Sequence, residues 1–447
     1  MGAPGPSLLG TWESKNSMYE ITEKSMKLIR TKGRGARQTA EILAALEDRG
    51  GAALDAVLPA VRRIVADVRK QGDRALLRYA AKFDGARALR VTPSEMAAAW
   101  NAINPPMQEA LTIAANQIRS FAVSQLPASF SNEPISGLTT GQLVRPLGSV
   151  GCYVPSGRHP LPSTLLMTVI PAQVAGVERI VVVSPKPAPE TLAAAHLLGI
   201  TEFYRLGGAH AVAALAYGTN SVARVDKIVG PGNLYVTAAK RLVAFDCSID
   251  MLAGPTEIVV TSECGNAAEI ASDLVAQAEH DPEALAIFIT TRADLAKEVV
   301  QKVKARSALN PVARQSLNRN GLAIIASTVD EARAITNRLA PEHLTVDAAS
   351  DLEWIQNAGS VFVGGWSSQP MGDYISGPNH TLPTGGMARV RGGLSVNDFV
   401  KLITVQQYSE QGMRTLGPSA VLLAEAEGLT GHAEAIRIRI QKERHCG

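Results

Sequence analysis

Glu257-Ile258-Val259-Val260-Thr261 leads into an alanine-rich stretch at about 266–279, and that stretch into Ala286-Ile287-Phe288-Ile289. The first and third pieces are short apolar runs rich in β-branched residues. Without polar alternation, such runs predict strands buried on both faces. The piece between them predicts a helix. Strand–helix alternation of this kind predicts parallel sheets covered by helices. The texture extends in both directions. Upstream, Ile180-Val181-Val182-Val183 is followed by a helix near 189–198, and Lys227-Ile228-Val229 runs into Gly230-Pro231-Gly232-Asn233 and a further alanine-rich helix. Downstream lie Ala323-Ile324-Ile325 and Val361-Phe362-Val363. The run is long enough for two such sheets, so the fold class is α/β.

The flanks read differently. Residues 1 to about 36 are rich in Gly and Pro, then basic and polar, which predicts a frayed end and a short helix. Between Gln38 and Phe83, Val57, Val61, Ile64, Val65 and Val68 recur at spacings of three and four, one apolar stripe of a helix. Another helical stretch runs from about Ser94 to Gln125, broken near Pro105-Pro106. From about 394 onward the chain reads as helices again, ending in a tail at 432–442.

Composition narrows the function classes. The chain has 447 residues, enough for two to three domains. A net charge of +3 is too small to argue for nucleic acid or a membrane surface. No apolar run approaches a membrane span, and no signal-peptide stretch opens the chain. Cys152, Cys247, Cys264 and Cys446 are scattered, with no Cys-x-x-Cys, which fits a reducing cytoplasm.

The chain has eight histidines, and four lie in segments crowded with carboxylates and amides. These are Gln277-Ala278-Glu279-His280, Pro341-Glu342-His343, Gly372-Asp373 through Asn379-His380, and Glu427-Gly428-Leu429-Thr430-Gly431-His432. On a helix, Gln277 and His280 share a face and offer one amide oxygen and one imidazole to a single ion. Asp373 and His432 would add an oxygen and a second nitrogen, a donor set that suits catalytic zinc. Adjacent Glu342 and His343 point in different directions, so each can serve a different proton transfer. Any one box alone fits a helix end, a surface loop or a turn cluster. Together they point to a metal-dependent enzyme with its site assembled from distant parts of the chain.

Neither Gly-x-Gly-x-x-Gly after a strand nor a P-loop is present. Gly230-Pro231-Gly232-Asn233 and Leu206-Gly207-Gly208-Ala209 are glycine-rich strand-to-helix turns of the kind that present N–H groups to phosphates. They also serve as packing devices in many α/β proteins. Gly148 to Ser163 is a third constrained loop.

The chain resembles the histidinol dehydrogenases, from about residue 60 to the C-terminus. The resemblance rests on Gly151-Cys152-Tyr153-Val154-Pro155, Gly207-Gly208-Ala209-His210-Ala211, Val229-Gly230-Pro231-Gly232-Asn233, Ala253-Gly254-Pro255-Thr256-Glu257, Gln277-Ala278-Glu279-His280, Ala340-Pro341-Glu342-His343-Leu344, and Gly377-Pro378-Asn379-His380-Thr381-Leu382-Pro383-Thr384. It implies four-electron oxidation of L-histidinol through L-histidinal to L-histidine, with two NAD and one zinc ion per subunit, in a cytoplasmic enzyme. It matches Gln277, His280, Asp373 and His432 to zinc ligands, His343 to the general base and Glu342 to the activator of water. Thr256, His380 and Glu427 match substrate contacts beside Gln277, His280, His343, Asp373 and His432. Tyr153, His210 and Asn233 match positions that meet NAD. His210 stands where the family has glutamine, and Thr256 where it has serine.

The resemblance also implies two Rossmann-like parallel-sheet domains with helical N- and C-terminal extensions. The expected division is 1–45 as an N-terminal extension, 46–150 with 254–393 as one Rossmann-like domain, 151–253 as the NAD-binding one, and 394–447 as a helical dimerisation tail. The implied assembly is a homodimer with shared active sites. The alternative is a paralogous zinc- and NAD-dependent dehydrogenase acting on another polar alcohol such as a sulfopropanediol, for which Arg158 and His159 would favour an anion. A degenerate metal-binding scaffold would need neither Glu342 nor His343, and a metallohydrolase would have no use for the nucleotide-type turns.

Overall fold

The computed structural model describes residues 26–49, 54–86, 88–156 and 160–441. Residues 1–25, with most of the expected frayed end, and Arg158, His159 and Cys446 lie outside the described residues. Two six-stranded sheets and one three-stranded sheet organise the rest.

The first sheet is parallel throughout, in the order Lys27–Arg30, Leu322–Ile325, Leu285–Thr290, Glu257–Thr261, His343–Val346, Ser360–Val363. Its central strands are buried on both faces, as continuous apolar runs require. Ile258, Val260 and Phe288 pack with the helix Ala267–Ala278 on one face. Val259, Ile287 and Leu344 pack with the helix Val329–Leu339 on the other.

The second sheet runs Arg90–Val91, Glu202–Tyr204, Arg179–Val183, Ser149–Tyr153, Lys227–Val229, Ser248–Ile249, with only the first pairing antiparallel. Beside it the helix Pro162–Ala175 is apolar nearly all round, and the structure buries it almost completely.

Three expectations are corrected. Residues 27–30 are not an extension but an edge strand, since Lys27 to Arg30 pair with Leu322 to Ile325. The helices within 54–124 do not belong with the first sheet. The stripe Val61, Ile64, Val65, Val68 packs against Leu215, Val236 and Val243 of the second unit, and Leu111 and Ile118 pack against Leu165 and Ile170. Residues 400–408 are not helical. Val400–Tyr408 pairs antiparallel with Leu138–Pro146 along its whole length, and Phe130–Ile135 completes a three-stranded sheet. Val400, Ile403, Thr404, Val405 and Tyr408 are β-formers whose pairing outweighs any helical reading. The helices Glu410–Ala426 and Thr430–Ile440 follow and pack on each other.

The turn after Lys227–Val229 is held by a buried ion pair. Lys240 Nζ donates to Asp250 Oδ1 at 2.6 Å and to the carbonyl of Gly230 at 2.5 Å, while Gly230 N donates to Asp250 Oδ2 at 2.7 Å. Gly230 has φ +108, and a Cβ there would lie 2.2 Å from the Tyr153 carbonyl oxygen. Glycine is required on both counts. Removing one partner of a buried pair leaves an uncompensated charge, so Lys240→Met is expected to lower stability by about 3–5 kcal/mol in denaturant unfolding. Arg241→Met, which breaks only the exposed pair with Asp55, is expected to change it by less than about 0.5 kcal/mol.

Candidate active site

In a parallel sheet each helix runs back against its strand, so helix C-termini gather at the amino ends of the strands. That geometry brings Gln277, Glu342, His343 and Asp373 together. Gln277 lies at the end of the helix Ala267–Ala278, and Asp373 on the short helix Gln369–Tyr374. Ile258 is in register with His343, which sets Glu257 beside Glu342 at the same sheet end. Ala340, just before this pair, is the one non-glycine described residue with positive φ (45°), and Pro341 follows it. A left-handed alanine is strained by roughly 1–2 kcal/mol, and such strain collects at functional sites.

Glu342 and His343 are both buried and differently committed. Glu342 Oε2 accepts from Thr256 Oγ1 at 2.6 Å and from the Glu257 N–H at 2.7 Å. His343 Nδ1 lies 3.0 Å from the Glu257 carbonyl oxygen, which can only accept. The Nδ1 therefore carries the proton, and in the neutral ring Nε2 is the free base. That nitrogen faces Asp373 Oδ1 at 3.7 Å. Burial pushes the His343 imidazole down, but Glu342 and Asp373 together outweigh it and raise it to about 10. Burial raises Asp373, yet the neighbouring His343, with His380 and His280, brings it below the usual carboxylate range.

Two amides stand beside these groups. Gln277 is fully buried; its Nε2 donates to Thr256 Oγ1, and its Oε1 has no hydrogen-bond partner. An orphaned buried oxygen is costly unless something else meets it. Gln369 Nε2 donates to Asp373 Oδ2 at 2.8 Å, leaving Oδ1 on the His343 side. Gln369 Oε1 is unpartnered as well. Unpartnered amide oxygens beside a carboxylate oxygen fit a cation with N/O ligands. His280, one turn beyond Gln277, is exposed and adds to the field that lowers Asp373.

His380 ties this site to the second unit. Its Nδ1 donates to the Asp373 carbonyl oxygen at 2.8 Å, and its Nε2 lies 3.3 Å from Thr164 Oγ1 on the buried helix Pro162–Ala175. Burial lowers its pKa. Asn379 Nδ2 donates to the carbonyl of Met167 on the same helix. A cavity of about 420 Å³ opens here, lined by His343, Phe362, Trp366, Met371 and His380 among others.

The glycine-rich turns follow strands of the second sheet, at its carboxyl ends. Asn233 caps the helix Leu234–Val243 and is exposed. The Tyr153 hydroxyl accepts from Gly208 N at 3.0 Å, and burial pushes Tyr153 up to about 12. His210 stands in the first of these turns, on the helix Gly208–Tyr217. Its ring is buried, with Nε2 2.8 Å from Asp84 Oδ2, and the same oxygen accepts from Gly207 N at 2.9 Å. The imidazole props the turn from inside.

Two expected residues do not join the others within one chain. Glu427 and His432 are exposed, at the junction of the two C-terminal helices. Among the described residues, no three His, Cys, Asp or Glu side chains are placed to share a metal ion. The arm that carries them exposes Leu402, Ile403, Tyr408, Leu422, Leu423 and Ile438.

Sequence reasoning missed Arg49, Glu257 and Gln369. Arg49 makes a two-pronged ion pair to Glu257 at 2.6 and 2.7 Å and also donates to the carbonyls of Leu46 and Leu339. A charge inside an otherwise apolar strand was the available signal for Glu257. Nothing local marks Arg49 or Gln369.

The histidinol dehydrogenase family model matches residues 47–440. A histidinol dehydrogenase of Bacillus thuringiensis subsp. konkukian is 46% identical over 402 residues, 87% of this chain and 94% of the relative. One from Methanothermobacter thermautotrophicus is 45% identical over 412 residues, 89% of this chain and 96% of the relative. The crystal structure of histidinol dehydrogenase from Elizabethkingia anophelis aligns with a TM-score of 0.88 at 34% identity, covering 94% of this chain and 99% of that one. Agreement of this extent in both sequence and backbone places the chain in the histidinol dehydrogenase family, oxidoreductases acting on CH–OH groups.

Proposed function

We propose that this chain oxidises L-histidinol through L-histidinal to L-histidine, with NAD as hydride acceptor, as a cytoplasmic homodimer with shared active sites. The observation that carries the reading is the pair Glu342–His343, adjacent in sequence yet bonded to different atoms of Thr256 and Glu257. His343 Nε2 takes the carbinol proton as hydride leaves the alcohol carbon. Both donors to Glu342 converge on Oε2, so Oε1 is the oxygen that takes a proton from the water adding to the aldehyde. A second hydride then leaves the hydrated carbon, and each turnover reduces two NAD.

Gln277, His280 and Asp373 of one chain would hold one zinc ion with His432 of the partner subunit. Zinc would orient the substrate's imidazole and amine and, by neutralising Asp373, weaken the hold of His343 on its proton. Thr256 and His380 would contact the substrate, and Glu427 of the partner subunit would close over it. The exposed apolar face of the arm supports the dimer, because contiguous patches of this kind mark association surfaces. NAD would lie along the carboxyl ends of the second sheet, met at Tyr153, His210 and Asn233. No helix among the described residues is long and apolar enough to cross a membrane.

Chelation is expected to abolish NADH formation from L-histidinol, and zinc to restore it. His280→Ala and Asp373→Ala are expected to lose zinc by elemental analysis; full occupancy and activity in both would sink the ligand set. Turnover of a dihydroxypropane sulfonate in place of histidinol would transfer the chain to the paralogous reading.

Mixing inactive His432→Ala with inactive His343→Ala is expected to restore activity, because each mixed dimer holds one intact site. No recovery after confirmed subunit exchange would show that the tail serves its own chain.

The two oxidations separate by substrate. His343→Asn is expected to slow both, whereas Glu342→Gln is expected to slow chiefly the oxidation of supplied L-histidinal. Each loss is on the order of 10²–10⁴-fold in the affected step, as for removal of a general base. Glu342→Gln slowing the alcohol step alone would reverse the assignment.

A further inference from the structure

Thr256 is matched by the family resemblance to a substrate contact, but its hydrogen bonds say more. We infer that Thr256 is a positioning residue whose hydroxyl fixes which end of the Gln277 amide faces the metal site. The inference rests on the reading of Gln277 as a ligand.

An ionised carboxylate only accepts, so the Thr256 hydroxyl donates its single hydrogen to Glu342 Oε2. Toward Gln277 the hydroxyl oxygen is then left only with lone pairs. The amide end that meets it must be the NH2 group, and Gln277 Nε2 is the atom found there. Gln277 Oε1 is thereby turned away and left without a protein partner, although the residue is fully buried. Rotated by half a turn, the amide would offer the ion an NH2, which has no lone pair to give. A single hydroxyl thus converts the charge of the proposed water-activating carboxylate into a fixed orientation of a proposed metal ligand.

Near the amide there is a competing partner. Gln277 Nε2 lies 3.4 Å from His343 Nδ1, which carries its proton toward the Glu257 carbonyl. Without the Thr256 hydroxyl, the Gln277 oxygen gains from turning toward that N–H. The ion then has to reverse the amide before it binds.

The test is zinc affinity of the substrate-free protein, read by competition with a chromophoric chelator. Thr256→Val is expected to weaken zinc about 10–100-fold, the usual effect of losing a partner of a ligand. Thr256→Ser, which keeps the hydroxyl, is expected to match the wild type within about twofold. Should Thr256→Val not fold, Thr256→Cys, with a weak donor and acceptor, carries the same expectation. Wild-type zinc affinity in the valine or cysteine variant, with Gln277→Ala still losing zinc, overturns the relay and leaves Thr256 a substrate contact only. Wild-type affinity in Gln277→Ala removes Gln277 from the ligand set, and the relay falls with it.

Discussion

The site depends on one buried charge, the carboxylate of Glu257 at the amino end of a central strand. Alone it would be expelled or neutralised. Arg49 grips both its oxygens in a fork, and Gly385 N donates to one of them at 2.8 Å. The pair is well buried, so its geometry is enforced by the desolvation already incurred. Once the side chain is pinned, the backbone of Glu257 is pinned too. Its N–H fixes Glu342 and its carbonyl fixes the tautomer of His343. An arginine from the N-terminal segment thus governs two groups nearly three hundred residues away.

The two sheets use opposite ends. Ligands in open α/β sheets ordinarily lie beyond the carboxyl ends of strands, and the glycine turns of the second sheet stand at that end. The first sheet breaks it, presenting Glu342 and His343 at the amino ends. Helix C-termini do not favour anions there, and the groups gathered are carboxylates, amide oxygens and imidazoles, among them Glu342, Asp373, Gln277 and His343. That end suits a cation as the glycine turns suit a phosphate. His380 and Asn379, bonded to the helix Pro162–Ala175, hold the two kinds of end against each other.

Much of this was legible in the sequence. Strands such as Glu257–Thr261 declare themselves by unbroken apolar runs, and Glu342-His343 by adjacency. The stripe from Val61 to Val68 was equally plain, but periodicity says that a helix buries a face, not which sheet receives it. Val400–Tyr408 was missed because its partner lies far upstream. The buried partner of His210 is not legible either, because Asp84 stands 126 positions away. Gln369 and Arg49 are residue types common on any surface, and only the folded chain gives them partners.

That remote pairing of the arm has a consequence for synthesis on the ribosome. The hairpin of Phe130–Ile135 and Leu138–Pro146 emerges with exposed Phe130, Ile135 and Leu143 and an unclaimed edge. Its partner strand follows some 250 residues later. At ~5–20 residues per second, the hairpin waits roughly 10–50 s for Val400. Throughout that interval it is a sticky template able to capture the same hairpin on a neighbouring nascent chain, so crowded polysomes and slow codons in the second half of the message work against this protein, and a holdase that shields residues 130–146 works for it.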